Sequence, residues 1–110
     1  MAGALLAGAP ASPGKVEAAK IVTAATTLKA HEQIVLIMTA GTYVITLPSV
    51  VEAAGKFYSI RSRVGSSSVT VADSDEGSVD YTSGALTAVD DYLLLYSDGL
   101  CWYEIKELTT

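Results

Sequence analysis

Cysteine, histidine and long apolar runs are nearly missing from this chain, and each shortage removes a class of function. The 110 residues include one cysteine, Cys101, so no disulfide framework exists within the chain. Its thiol stands beside Trp102 at the start of an apolar strand, where a small buried side chain is the ordinary expectation. The one histidine, His31, is far from Cys101 in sequence, and beside Glu32 it lacks the second His or Cys that a zinc site needs. No apolar run approaches the length of a transmembrane helix. Residues 1–20 have neither the basic start nor the apolar centre of a secretory signal, although Ala7-Gly8-Ala9 imitates a cleavage site. Gly-x-Ser-x-Gly and Gly-rich phosphate loops are missing too, and the carboxylates fall mostly in turns, without the apolar setting that raises a general acid's pKa. Enzyme is therefore the least supported class, and no catalytic, cofactor or metal residue is assigned.

Basic residues are also scarce, seven against twelve acidic, for a net charge of −5, which argues against nucleic acid as a partner. Their distribution is uneven. Residues 1–63 hold six basic residues against three acidic, whereas from residue 64 only Lys106 opposes nine acids. Such polarity orients a subunit on a charged surface, pairs the acidic part of one copy with the basic part of another, or marks a set of solvated acidic loops. Asp73, Asp75 and Gly77 suggest a calcium loop, but Ser78 and Gly84 stand where an EF-hand places glycine and glutamate, so a plain acidic turn is the simpler reading.

What is present is β-structure. Half of the residues are apolar, but sixteen are alanines, and the larger apolar side chains suit the core of one small domain. Residues 1–20, rich in Ala, Gly and Pro, read as an extended arm whose contact candidates are Leu5, Leu6 and Val16; residues 21–110 form the domain. Within it, 21–27 is β-prone and Gln33 to Met38 is a continuous apolar run that predicts burial on both faces. Ala40-Gly41 predicts a hairpin turn into Thr42 to Leu47, which sets Tyr43, Ile45 and Leu47 on one face. Pro48 ends that strand, and Ser49 to Ala54 predicts a short helical turn capped by Ser49 and stopped by Gly55.

Lys56 to Val64 alternates, with Tyr58, Ile60, Ser62 and Val64 on one face and Phe57, Ser59, Arg61 and Arg63 on the other. Arg61 and Arg63 are candidates for gripping a carboxylate or phosphate, or are simply solvated. Strands follow at Ser68 to Ala72, around Val79-Asp80-Tyr81 and Ala85 to Val89, and at Asp91 to Tyr96. Ser97-Asp98-Gly99 closes a hairpin into Leu100 to Lys106. Six tyrosines lie mostly on strands, as stacking platforms for sugars or as ordinary β-formers. Short strands with polar turns and no strand–helix alternation predict an all-β fold, an antiparallel β-sandwich or jelly-roll-like module.

The order of these signals resembles the small β-modules of tailed-bacteriophage virion proteins, which serve as capsid decoration (cement) proteins, head fibres and tail-fibre segments. The match runs through Thr26-Thr27-Leu28, Leu47-Pro48, Gly55-Lys56-Phe57-Tyr58-Ser59-Ile60, Val69-Thr70-Val71 and Ser97-Asp98-Gly99-Leu100-Cys101-Trp102-Tyr103. It departs at Asp80-Tyr81, where the family has Asp-Gly. The resemblance implies a structural protein made in the host cytoplasm and placed on the capsid surface of the virion. There it would self-associate as a homotrimer and bind the major capsid protein, with no nucleic acid or membrane partner. The alternative it implies is a tail- or head-fibre module binding host surface glycans. That the module stands almost alone after the arm favours decoration, with the arm as a strap.

Overall fold

Parallel strand pairing needs a long crossover between partners, and in a chain of short β-prone segments without helices that crossover is made through a second sheet. A computed structural model describes residues 19–74 and 80–110 of the protein. Its strands are β1 (Lys20–Val22), β2 (Thr26–Thr27), β3 (Ile34–Ile37), β4 (Thr42–Thr46), β5 (Phe57–Ser62), β6 (Ser68–Ala72), β7 (Tyr92–Ser97) and β8 (Trp102–Leu108). One sheet has the order β1-β3-β5-β7-β8 and the other β2-β4-β6. β1, β3 and β5 run parallel, as do β2, β4 and β6, so each turn of the chain gives one strand to each sheet, in the manner of a short β-helical coil. The coil then reverses. Bridges at Ala72–Thr82 and Val69–Leu86 lay residues 82–86 antiparallel on β6, and β7 and β8 add antiparallel strands beyond β5.

The all-β class is as the sequence predicts, but pairing is antiparallel only in the last third. The hairpin expected at Ala40-Gly41 does not form: β3 and β4 lie in different sheets. A hairpin there would put Val35, Ile37 and Ile45 on one sheet with nothing opposite, whereas crossing to the second sheet buries all three completely. The segment 21–27 divides into β1 and β2 with a bend at Thr23 to Ala25, and the brief strands expected around residues 79–81 and 85–89 reduce, where described, to single bridges. Residues 1–18 of the expected arm, with Leu5, Leu6 and Val16, and Asp75 to Gly77 of the acidic turn lie outside the described residues, while Lys20 at the end of that arm opens β1.

The core lies between the sheets. Val22, Val35, Ile37, Tyr58, Ile60, Leu93, Leu95 and Trp102 enter it from the five-stranded sheet, Ile45, Val69 and Val71 from the other, and Leu28, Leu47, Val50, Ala53 and Leu86 fill its margins. Tyr58 meets the Trp102 ring edge-on at 5.5 Å and donates its hydroxyl to Ala30 O at 2.6 Å. The expected helical turn is present as a single turn: Ser49 Oγ accepts from Glu52 N, Ala53 N donates to Ser49 O, and Gly55 ends it at φ 78°. Buried Ser97 ties this turn to the closing hairpin, donating to Val50 O and accepting from Gly99 N, while its carbonyl accepts from Gly55 N.

Two constraints on this arrangement are testable. Asp91, at the entrance to β7, is buried and accepts hydrogen bonds from the backbone of Thr87, Ala88 and Thr110 and from the Thr110 hydroxyl, fastening the last residue of the chain to the core. Burial works against the charged form, but these donors outweigh it and hold the Asp91 carboxyl at about 2. A folded-state pKa below the unfolded one stabilises at pH values above the unfolded pKa, and that stability is lost as pH falls through the folded pKa. The melting temperature should therefore fall between about pH 4 and pH 2, with a weaker pH dependence in Asp91→Asn, as followed by circular dichroism. Gly99 has φ 92°, and a Cβ there would stand 3.3 Å from Ala54 Cβ, whereas Gly55 has a similar φ and open space. Gly99→Val should cost about 1–3 kcal/mol in urea unfolding at unchanged slope, and Gly55→Ala about 1 kcal/mol.

Candidate functional site

A sheet with one face on the core normally turns polar side chains to solvent, and the five-stranded sheet does not. Its outward positions form three rows across the strands. One runs Ile21, Leu36, Arg61, Tyr92, Leu108; the next Ile34, Ser59, Leu94, Lys106; the third Phe57, Tyr96, Tyr103. Nine of these twelve positions are apolar or aromatic, so the sheet is apolar on both sides. Met38, just past β3, is also exposed. The three-stranded sheet differs: Thr27, Thr42, Thr46, Ser68 and Thr70 occupy its outward positions, with Val44 its large exposed apolar side chain.

Polar groups gather at both ends of the apolar face. At one end, Arg61 and Arg63 each place a guanidinium nitrogen on Asp90 Oδ1, at 3.4 and 3.3 Å, and the Arg61 guanidinium lies 5.2 Å from the Tyr92 ring centroid. The sequence places these arginines together on an outward face, and they are so placed; the carboxylate that they grip is the chain's own. Both ends of the bridge are well exposed, so each pair contributes about 0–1 kcal/mol. At the opposite end, Phe57 and Tyr96 rings stand 4.8 Å apart with planes at 44°, and Tyr103 is the cross-strand partner of Tyr96. Asp98 lies beside them. Its carboxylate accepts from Cys101 N at 3.0 Å, Leu100 N at 2.8 Å and the Tyr103 hydroxyl at 2.9 Å, donors that hold it below the usual carboxylate range.

The β8 edge of the sheet is a different surface. β8 carries a bulge opposite Leu94 and Leu95, and Glu104, Lys106 and Glu107 stand along it. The Tyr81 hydroxyl donates to Glu104 at 2.6 Å, and Glu107 is pushed up by its contact with Glu104. A bulge and charges on an edge strand both discourage pairing with another strand.

Other candidates from the sequence disperse. His31 is exposed at a turn, and Glu32 is committed to Lys29 N at 2.8 Å and to Lys20 at 3.4 Å. Cys101 is half-buried rather than buried, because the turn after Gly99 leaves it at the rim. Among the described residues, no group of three His, Cys, Asp or Glu comes together as a metal would require. A shallow pocket of about 180 Å³ is lined by Lys20 to Thr26 and is smaller than the roughly 300 Å³ of ordinary ligand sites. The face itself was missed by sequence reasoning, which assigned the run from Gln33 to Met38 to burial on both sides; its outward side chains Ile34 and Met38 are exposed.

Loss of the Tyr103 hydroxyl should raise the Asp98 pKa toward the ordinary aspartate value without unfolding the protein. Titration of the side-chain carboxyl by NMR in Tyr103→Phe measures this, and an unmoved pKa would separate Asp98 from the aromatic row.

Comparison with protein-family models, curated proteins and solved structures finds no match for this chain.

Proposed function

We propose that this protein is a non-enzymatic structural subunit of a tailed-bacteriophage particle, a capsid decoration protein that binds the outside of the assembled shell and bridges neighbouring coat subunits. The observation that carries this reading is the apolar outer face of the five-stranded sheet, which marks the chain as a subunit of an assembly, since such a face is fit to be covered by coat protein or by a further copy of the chain. The phage setting is supported by the ordered motifs from Leu47-Pro48 to Trp102-Tyr103. Two facing sheets around one core, closed by the β7–β8 hairpin, suit the sandwich-like module of that resemblance. The partner is the major capsid protein, together with further copies of this chain; nucleic acid and membrane are not partners. The protein is made in the host cytoplasm and resides on the capsid surface.

Its mechanism is mass action. A ligand that binds the assembled shell more tightly than the dissociated coat subunits stabilises the shell, and several linked contacts raise that effect steeply. Purified protein added to expanded shells of a tailed phage should co-sediment with them and raise their disassembly temperature; absence of binding to the cognate shell would remove the decoration reading. Removal of residues 1–18, which stops short of β1, should lower occupancy while leaving the far-ultraviolet circular dichroism of the domain in place.

One observation favours the fibre reading, a glycan-binding module: the exposed row Phe57–Tyr96–Tyr103 offers rings against which sugars stack. A glycan array separates the two, because a decoration protein gives no signal there, and a fibre module gives one that Tyr103→Ala abolishes.

A further inference from the structure

We propose that the outward face of the five-stranded sheet is where a second copy of this chain docks, face to face and with strand directions opposed. The inference rests on the reading of the protein as an assembly subunit and names the partner of one of its surfaces; the hydroxyl-bearing face of the other sheet is left for other contacts.

The area is sufficient. Ile21, Ile34, Met38, Phe57, Tyr103 and Leu108 each keep between 45% and 51% of their surface accessible. At roughly 100 Å² each they offer on the order of 600 Å² before the half-buried Tyr92, Leu94 and Tyr96 are added, against about 800 Å² per partner in a stable interface.

The charges then select the orientation. Arg61 and Arg63 share the one carboxylate of Asp90, which leaves positive charge in excess at the end of β5. The Asp98 carboxylate stands at the other end of the same face, beside Tyr103. A two-fold axis lying in the face and across the strands brings the arginine end of each copy over the Asp98 and aromatic end of the other, so that opposite charges meet twice and guanidinium groups approach tyrosine rings. An axis along the strands would instead oppose arginines to arginines. The same axis lays the middle row of one copy on that of the other, so Lys106 meets Lys106 on the edge strand, where both ammonium groups reach solvent at the rim. Edge-to-edge pairing through β8 is disfavoured by its bulge and its charges. The pattern fits a pair of copies rather than the three-fold group implied by the phage resemblance.

Sedimentation equilibrium of the full chain, at concentrations up to about 200 μM, reads the outcome directly. The expected result is twice the chain mass, with the dissociation constant raised by about tenfold or more in Phe57→Asp and in Ile34→Asp, unchanged in Val44→Asp on the other sheet, and raised by added salt. Circular dichroism identifies any variant that fails to fold, and the two face variants stand in for each other. The proposal is overturned by a single-chain mass throughout the range, by a three-fold mass, or by a dimer that folded Phe57→Asp and Ile34→Asp leave intact. Shell binding is scored separately: a dimer that ignores shells removes the decoration reading and keeps the docking face, and a monomer that binds shells does the reverse.

Discussion

Strands β3 to β7 each turn a row of apolar side chains inward, and no single sheet could bury its own. The shared core between the two sheets is the constraint on which the rest depends. Val35 and Ile37 of β3 are fully buried only because Ile45 of β4, Val69 and Val71 lie opposite, and those come from the strands reached on the return of each coil. The same requirement explains the parallel pairing: once successive strands go to opposite sheets, the next strand in the same sheet arrives with the same direction.

Parallel coiling leaves open ends, and the last third of the chain resolves one of them. Residues 82–86 lie back on β6, β7 turns antiparallel against β5, and the Ser97-Asp98-Gly99 turn adds β8. Three fastenings hold this closure in place: Ser97 to the turn at residues 49–55, Asp91 to Thr110, and Trp102 against Tyr58. Trp102 carries a cost, because its buried indole N–H has no hydrogen-bond partner among the described residues, an arrangement worth about 1–3 kcal/mol of lost solvation. Its ring area and edge-on contact with Tyr58 offset that cost.

Strand positions and facing were largely legible from local alternation. Tyr58, Ile60 and Ser62 point inward and Phe57, Ser59, Arg61 and Arg63 outward, as the period of two requires, and the closing hairpin was marked by the positive-φ glycine at position 99. Partner choice was not legible. Alternation fixes which side of a strand is apolar but not whether its neighbour is the next strand or the one after. A coil betrays itself in sequence only when its turns have equal length. Here Val35 pairs with Lys20, 15 residues back, and with Ile60, 25 residues on, while the second sheet steps by 19 and then 26 residues, so no repeat exists to be found. The outer face was half-legible. The apolar runs at Ile34 to Met38 and Tyr92 to Tyr96 are the signal, but a run with apolar residues on both sides says that both sides are covered without saying by what.

The charge polarity of the sequence gains a more specific meaning in three dimensions. Several of the described acids of the second half stand away from the apolar face: Glu104 and Glu107 lie along the β8 edge, and Asp91 is spent on hydrogen bonds within the core. Asp90 reaches back to the basic first half, and it takes two arginines for one carboxylate. The mismatch leaves the outer face with excess positive charge at the Arg61 end, the Asp98 carboxylate at the other end, and Lys106 on its β8 side between them. Apolar area of that size brings surfaces together without selecting among them, whereas charge at the ends sets which way round they meet. A face with both properties is suited to one partner in one orientation.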